Sequence, residues 1–438
     1  MTKTARAVAL ETLIRVFKTN SYSNISLNNS LHEAQLSQAD RNLVTRLVYG
    51  TIQNKIYLEY QLHDLVKTKL REDYLWPLLL MSAYQIMLLD KVPNRATLNE
   101  ANILAKQFGK LHSAGFKIVN GILRSLIRRG EVLPAKTDHI AYLSIKESVP
   151  EWLVKYFIKN WGIERTSGML ASINLPAKNT VRLSPNAGAA TTIELQKLGF
   201  APVESDLSAS ELILSHGGVS ETSLFKDGKL TIQDEAASLA VSAFNFTGKE
   251  AVLDSCSAPG GKTVQIAQQL TTGNVTALDI HAKKLRLVQE TAARMHVADK
   301  VTVKAIDARK AQEEFQYGQF DKILVDAPCS GLGLLRRKPE IRYTKKLADL
   351  TNLQKIQLDI LDQVSSLLKI GGELVYSTCS IALEEDEQVV AAFLAQHFQF
   401  RLQPFNTGKI AAPTGELKIL PDSYNSDGFF IAKFVMRG

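Results

Sequence analysis

Apolar residues over roughly the first 130 positions recur at helical spacing. Leu10, Leu13, Ile14 and Phe17 fall at i, i+3, i+4 and i+7, and Val119, Ile122, Leu123 and Leu126 repeat that pattern, so both segments predict amphipathic helices with one face turned to a core. No stretch in this region alternates convincingly with period two. Leu75 to Leu89 is a longer apolar run, but at about 15 residues, with Ser82 and Gln85 inside it, it is too short to span a bilayer and predicts a buried helix. From about residue 141 the character changes: Pro150, Pro176, Pro185 and Pro202 punctuate short helix and strand candidates. After Leu230 short apolar runs alternate with amphipathic helices, the pattern of a doubly wound parallel sheet. The candidate strands are 251–254, 275–279, 301–307, 323–326 and 373–377. Between the last two lies a helix with Leu353, Ile356, Ile360, Leu361, Val364 and Leu368 on one face, closed by Gly371-Gly372. The expected architecture is multidomain: an all-α domain at 1–140, a small mixed α/β linker domain at 141–229, and a C-terminal Rossmann-like α/β domain at 230–438.

A length of 438 residues fits two to four domains, and 45% hydrophobic with 22% charged residues excludes a disordered or collagen-like chain. No repeat of 20 to 50 residues is visible. Lys and Arg exceed Asp and Glu by 52 − 44 = 8, which leans toward a polyanionic partner. Residues 101–130 hold no acid but carry Lys106, Lys110, Lys117, Arg124, Arg128 and Arg129. Either a solvated helix face or an RNA-backbone contact surface accounts for them. The three cysteines, Cys256, Cys329 and Cys379, are too few for a disulfide framework and too far apart for a metal pair. With no apolar core to a signal peptide between Met1 and Phe17, a cytoplasmic protein is expected.

In such a sheet the ligand lies at the carboxyl ends of the strands. Four of the five candidate strands end in Asp: Asp254, Asp279, Asp307 and Asp326. One such Asp is usually a helix cap; four in one sheet point to a cofactor pocket. The first strand runs into Ser255-Cys256-Ser257-Ala258-Pro259-Gly260-Gly261-Lys262-Thr263. Its end resembles a phosphate-binding loop, but Cys256 stands where that loop needs glycine and Pro259 removes a backbone donor, which disfavours an NTPase. Asp279 is placed to accept both ribose hydroxyls. A sulfonium cofactor such as S-adenosylmethionine fits better than a dinucleotide, having no phosphates to cradle and positive charge for carboxylates to meet. The fourth strand continues into Asp326-Ala327-Pro328-Cys329-Ser330-Gly331 and the fifth into Ser377-Thr378-Cys379-Ser380. If these strands are neighbours, their ends lie about 5 Å apart and two cysteines face one site. A lone cysteine is normally a small buried apolar residue; two beside a cofactor pocket favour chemistry.

These motifs in this order, followed by the acidic run Glu384-Glu385-Asp386-Glu387, resemble the RNA cytosine-5 methyltransferase (NOL1/NOP2/Sun) family. Gln233-Asp234-Glu235-Ala236 and Asp427-Gly428-Phe429-Phe430 add to the likeness. The helical region is similar to the NusB fold, through Asp40-Arg41, Asn99-Glu100-Ala101 and 119–124. One departure is mild: Ser255-Cys256-Ser257 stands where the family often has Cys-Ala or similar. The pairing of the two domains marks the branch that acts on small-subunit ribosomal RNA, and implies 16S ribosomal RNA as partner, with cytosine 967 as the family's target.

Carbon 5 of cytosine is too weak a nucleophile to take a methyl group unaided, so a thiolate must first add at carbon 6. Spacing alone does not say which cysteine attacks. The resemblance implies that Cys379 is the nucleophile and that Cys329 assists product release, with Asp326 on the cytosine edge. It also implies that S-adenosylmethionine lies along Cys256, Ser257, Ala258, Pro259, Gly260, Gly261 and Lys262, with Asp279 on the ribose, Asp307 on the adenine amino group and Asp326 near the reactive end. Arg336, Arg337, Lys338, Arg342, Lys345 and Lys346 follow the Cys329 motif with only Glu340 opposing them, and are expected to contact phosphates at the pocket rim. No metal or membrane is expected, and the chain is expected to be a monomer. A tRNA-directed enzyme and an RNA-binding factor with a degenerate catalytic domain are the competing readings.

Overall fold

The apolar run at 75–89 forms a helix, Leu75–Leu88, whose Leu78, Leu79, Leu80 and Met81 are fully buried. It lies in a computed structural model that describes residues 3–19, 23–111 and 113–438. The chain divides into two compact units, residues 1–175 with 337–345 and residues 176–336 with 346–438.

The first unit is helical: α1 (Ala5–Thr19), α2 (Ser23–Glu33), α3 (Gln38–Gln53), α4 (Lys55–His63), α5 (Leu75–Leu88), α6 (Asn94–Phe108), α7 (Gly115–Arg129), α8 (His139–Lys146) and α9 (Glu151–Ser172). The predicted stripes turn inward: Leu10 and Leu13 of α1 and Val119, Leu123 and Leu126 of α7 join one core with Leu47, Leu58 and Leu104. Each such side chain contributes roughly 1.5–3 kcal/mol on burial. Gly50 of α3 lets Tyr84 of α5 close in, since a Cβ there would meet the Tyr84 ring at 2.0 Å.

Residues 337–345 belong to this helical unit, which changes the reading of the basic stretch. Arg342 is fully buried. Its guanidinium donates to the carbonyls of Gln53, Glu147, Ser148 and Ile173 at 3.2–3.4 Å, where α3, α8 and α9 end. Three helix C-termini leave carbonyls without partners and carry partial negative charge, so a buried cation satisfies both. Glu340 does the converse, accepting the Ser23 backbone N–H and hydroxyl at the start of α2. Arg336, in the other unit, is also buried and donates to Asn425 and to the Pro421 carbonyl. The expected row of phosphate contacts is therefore corrected at Arg336 and Arg342, which are structural. Lys346 is exposed, and Lys338 and Lys345 are half-buried.

The second unit begins with a four-stranded antiparallel sheet, β1 (Asn179–Leu183), β2 (Val203–Glu204), β3 (Glu211–Leu214) and β4 (Leu230–Ile232), in the order β2-β3-β1-β4. Val181, Leu195, Phe200, Leu212 and Leu230 make its core. This is the mixed α/β character expected of 141–229, but that segment does not stand apart. Helices α8 and α9 cluster with the first unit, and β1–β4 with the second. Gln233 helps bind the small sheet to the helix Gly261–Ala267. Its side chain accepts from Arg182 Nε at 2.8 Å and donates to Gln265 at 2.8 Å, and its carbonyl takes the Thr180 hydroxyl at 2.7 Å.

The large sheet comprises β5 (Ala251–Asp254), β6 (Asn274–Leu278), β7 (Val301–Lys304), β8 (Phe320–Asp326), β9 (Leu368–Thr378) and β10 (Phe400–Leu402), then, past a small pair β11 (Phe405–Asn406) and β12 (Ala411–Ala412), β13 (Glu416–Ile419) and β14 (Phe429–Met436). Its order is β10-β14-β9-β8-β5-β6-β7. The five predicted strands are all present and parallel, with apolar residues on both faces as a helix-covered sheet requires. Two details differ. The third strand stops at Lys304, and Gly371-Gly372 lie inside β9 rather than closing a helix, which ends at Ser365. The antiparallel neighbour β14 was not expected; it pairs with β9, Phe430 opposite Thr378.

Candidate active site

Strands β8 and β9 pair in parallel with Asp326 opposite Ser377, so the loops beyond them leave the same edge of the sheet. This brings Cys329 Sγ to 3.2 Å from Cys379 Sγ. Both are half-buried free thiols. The Cys379 contact, followed by burial, pushes the Cys329 thiol well above its ordinary range. Asp326 is held at both oxygens: Ser377 Oγ donates to Oδ1 at 2.9 Å and Lys262 Nζ to Oδ2 at 2.7 Å. Lys262 Nζ also sits 5.1 Å over the Phe429 ring. Burial opposes the Lys262 charge, but the Asp326 carboxylate outweighs it and holds the amine above its usual range.

The first strand positions the adjoining turn. Ser257 N–H and Oγ both donate to the Leu278 carbonyl at the end of β6, at 2.7 and 2.9 Å. Gly260 donates back to the Ser257 carbonyl at 2.8 Å and has φ +107°, with Val288 Cα 2.9 Å from where a Cβ would stand. Only glycine is at ease there. Ala258-Pro259 is a cis peptide. Lys262 and Thr263 then open the helix Gly261–Ala267, and Thr263 Oγ1 donates to Asp254 Oδ2 at 2.6 Å. Burial pushes Asp254 up to about 7. Cys256 packs on the apolar cluster around Leu253 and Ile323, and burial raises its thiol. Asp279, one residue past β6, accepts the His281 N–H at 2.8 Å. Asp307, three past β7, caps the turn at 308–313 and is chelated by Arg309, with Nη2 at 2.6 Å. That Arg309 hydrogen bond lowers its pKa.

The structure thus brings Cys329, Cys379, Asp326 and Lys262 together, with the Ser257–Gly260 turn on the neighbouring strand. Asp279 and Asp307 stand after the next two strands of the same edge. A carboxylate-bearing edge with a tight glycine turn and no phosphate cradle fits S-adenosylmethionine, a sulfonium with a ribose.

Residues beyond the sequence-based set complete the site. Glu385 accepts the Ser330 N–H at 2.6 Å, the Ser330 hydroxyl, the Ser380 hydroxyl at 2.6 Å and Gln357 Nε2 at 3.4 Å. Asp386 takes the Thr378 hydroxyl at 2.6 Å and pairs with Lys418 at 3.0 Å; burial lifts it to about 7. An acidic run is ordinarily solvated, yet Glu385 and Asp386 are both 0% exposed. Gly428 N–H donates to Gly333 O at 2.9 Å and Gly333 N–H to Cys379 O at 3.0 Å. A Cβ on Gly333 would meet Gly428 O at 2.0 Å, so these two glycines let the Cys329 loop lie against β9 and β14. The family likeness at 384–387 and 427–430 was the available signal for both.

This sheet order, with carboxylates and paired thiols at the strand ends, defines a Rossmann-like methyltransferase domain. The chain matches the family described as 16S rRNA methyltransferase RsmB/F over residues 241–435 and the NusB family over 3–128. It is 38% identical over 456 aligned residues, with 100% of both chains covered, to a Bacillus subtilis protein named "Probable ribosomal RNA small subunit methyltransferase B". It is 30% identical to "Ribosomal RNA small subunit methyltransferase B" of Proteus mirabilis, with 98% of this chain and 97% of that one covered. A solved methyltransferase homologue from Pyrococcus horikoshii superposes with TM-score 0.59 and 25% identity, covering 69% of this chain and 99% of that one. The chain belongs to the ribosomal RNA small subunit methyltransferase B family, with a NusB helical domain before the catalytic domain.

Proposed function

We propose that the chain methylates carbon 5 of a cytosine in 16S ribosomal RNA, cytosine 967 being the target the resemblance suggests, through a covalent bond between Cys379 and carbon 6. The observation that carries this reading is the pair of thiols 3.2 Å apart beside the fixed Asp326 carboxylate. The Cys379 thiolate adds to carbon 6 and the ring electrons move to carbon 5. Asp326 accepts a hydrogen bond from the cytosine edge, and Lys262 and Ser377 keep it aimed. Bound along Cys256–Lys262 with Asp279 at its ribose and Asp307 toward its adenine, S-adenosylmethionine would supply a methyl group on a positively charged sulfur. Loss of the carbon-5 proton then lets the carbon 6 to sulfur bond break, with the electron pair returning to Cys379. Cys329 assists that release. The base must leave any stack to reach such a site, which favours single-stranded or loop RNA.

On α7, Lys117, Gly121, Arg124 and Arg128 are exposed along one face, which suits a phosphate backbone. Arg129 is not part of it, since it donates to Gln61. No described helix is long and apolar enough to cross a membrane; action in the cytoplasm as a monomer is part of the same proposal. Labelled methyl transfer to deproteinised small-subunit RNA, with bulk tRNA as control, tests the proposal. Incorporation into tRNA alone would favour a tRNA enzyme, and none in either a binding factor.

A further inference from the structure

Cys329 and Cys379 are anchored unequally. Cys379 directly follows β9, whose last residues are paired on both sides, with Phe430 of β14 and with Asp326 of β8. Cys329 lies three residues beyond β8, between two backbone ties to β9 and the residue after it, Ala327 N–H to Ser377 O at 2.9 Å and Gly333 N–H to Cys379 O at 3.0 Å. Between those ties Gln357 Nε2 donates to the Pro328 carbonyl at 3.0 Å, and the Ser330 N–H and hydroxyl both donate to Glu385. Gln357 itself reaches Glu385, and the same carboxylate takes the Ser380 hydroxyl from the residue after Cys379. One carboxyl group therefore ties the residue after each cysteine. Its backbone is fixed too, the Glu385 carbonyl accepting the Tyr376 hydroxyl at 2.6 Å.

We propose that Glu385 is a positioning residue for product release: its buried carboxyl group holds the Cys329 loop against the end of β9, so that the Cys329 thiol stays beside the Cys379 sulfur as the methylated base departs. This rests on the assignment of the two cysteines above. At release the carbon-5 proton passes to solvent water, its bond pair forms the carbon 5 to carbon 6 double bond, and the carbon–sulfur pair returns to Cys379 as a thiolate. A neighbouring S–H donates a hydrogen bond to that thiolate and stabilises the leaving group. The raised pKa of Cys329 keeps its proton in place for this role.

The clamp is separable from attack, because β9, which ends one residue before Cys379, keeps its pairing on both sides when Glu385 is lost. Glu385→Ala should accumulate a covalent adduct on ordinary RNA, about ten-fold or more above wild type on denaturing gels, with multiple turnover falling by a similar factor while the first methyl transfer stays within about three-fold. Glu385→Gln should restore turnover to within about three-fold of wild type, since its oxygen still accepts the Ser330 N–H and its amide donates to the two serine hydroxyls. Cofactor affinity, measured by calorimetry, should be unchanged in both. Should Glu385→Ala not fold, Ser330→Ala with Ser380→Ala carries the same expectation. A Cys329→Ala control without adduct overturns the underlying assignment. If that control traps RNA, then Glu385→Ala with no adduct, or with adduct and first turnover lost together, overturns the clamp, as does a Gln variant that behaves like Ala.

Discussion

Cys329 Sγ and Cys379 Sγ lie 3.2 Å apart although 50 residues separate them. Parallel pairing of β8 with β9 produces this, with Asp326 level with Ser377 and a cysteine following each strand. Their roles are distinguishable. Cys379→Ala should abolish covalent capture of 5-fluorocytidine RNA, whereas Cys329→Ala should leave a persisting adduct; gel-shift under denaturing conditions measures both, and the reverse outcome would sink the assignment.

Lys262 Nζ is 2.7 Å from Asp326 and lies over the Phe429 ring. Removing its charge leaves the carboxylate held by Ser377 alone. Lys262→Met should lower single-turnover methyl transfer by about 10²–10³, the range for losing one preorganised electrostatic group. A rate within about three-fold of wild type would show that Asp326 needs no cation.

Arg342 is a stability determinant. Its replacement by Ala takes a donor from four carbonyls at the ends of α3, α8 and α9, of which Gln53 keeps the Tyr343 hydroxyl at 3.0 Å and Glu147 keeps Asn174 Nδ2 at 3.0 Å; the loss costs about 1–3 kcal/mol. Urea unfolding of the intact chain should register this as a lower midpoint. Lys at this position should recover only part of the loss, because an ammonium lacks the planar fork.

The buried Asp254 gives stability a pH dependence of known sign. Burial raises it to about 7 in the fold, against about 3.9 in an unfolded chain. Between these values the native state binds more protons than the unfolded one, so stability falls as pH rises across that window. Asp254→Asn should remove this contribution: the stability difference between variant and wild type should shift in favour of the variant from about pH 4 to about pH 7. A difference that is flat with pH would refute it.

Asp279 has one oxygen on the His281 N–H, leaving carboxylate capacity for a ribose. Asp279→Ala should weaken S-adenosylmethionine binding by about ten-fold or more, the loss of one charge-assisted hydrogen bond. Calorimetry with the cofactor alone gives the answer, and an unchanged Kd would place the ribose elsewhere.

The helical stripes of α1 and α7, the buried α5 and the five parallel strands were all legible along the chain, because burial on one face or both imposes a local period of 3.6, or a short continuous apolar run, on the residues themselves. The strand-end positions of Asp254, Asp326 and the two cysteine motifs could be read as well, since a parallel sheet collects its loops at one edge. The features that the chain did not disclose are non-local. Arg342 reads as one of a row of phosphate-contacting bases until three helix ends converge on it, and Glu385 as one acid of the run 384–387 until Ser330, Ser380 and Gln357 surround it. Neither the destination of a charged side chain nor the antiparallel insertion of β14 beside β9 leaves a periodic trace. Sequence determined which groups reach the active edge; tertiary packing decided which of them are fixed in place, because a buried charge is tolerated only where distant backbone and hydroxyl groups meet to satisfy it.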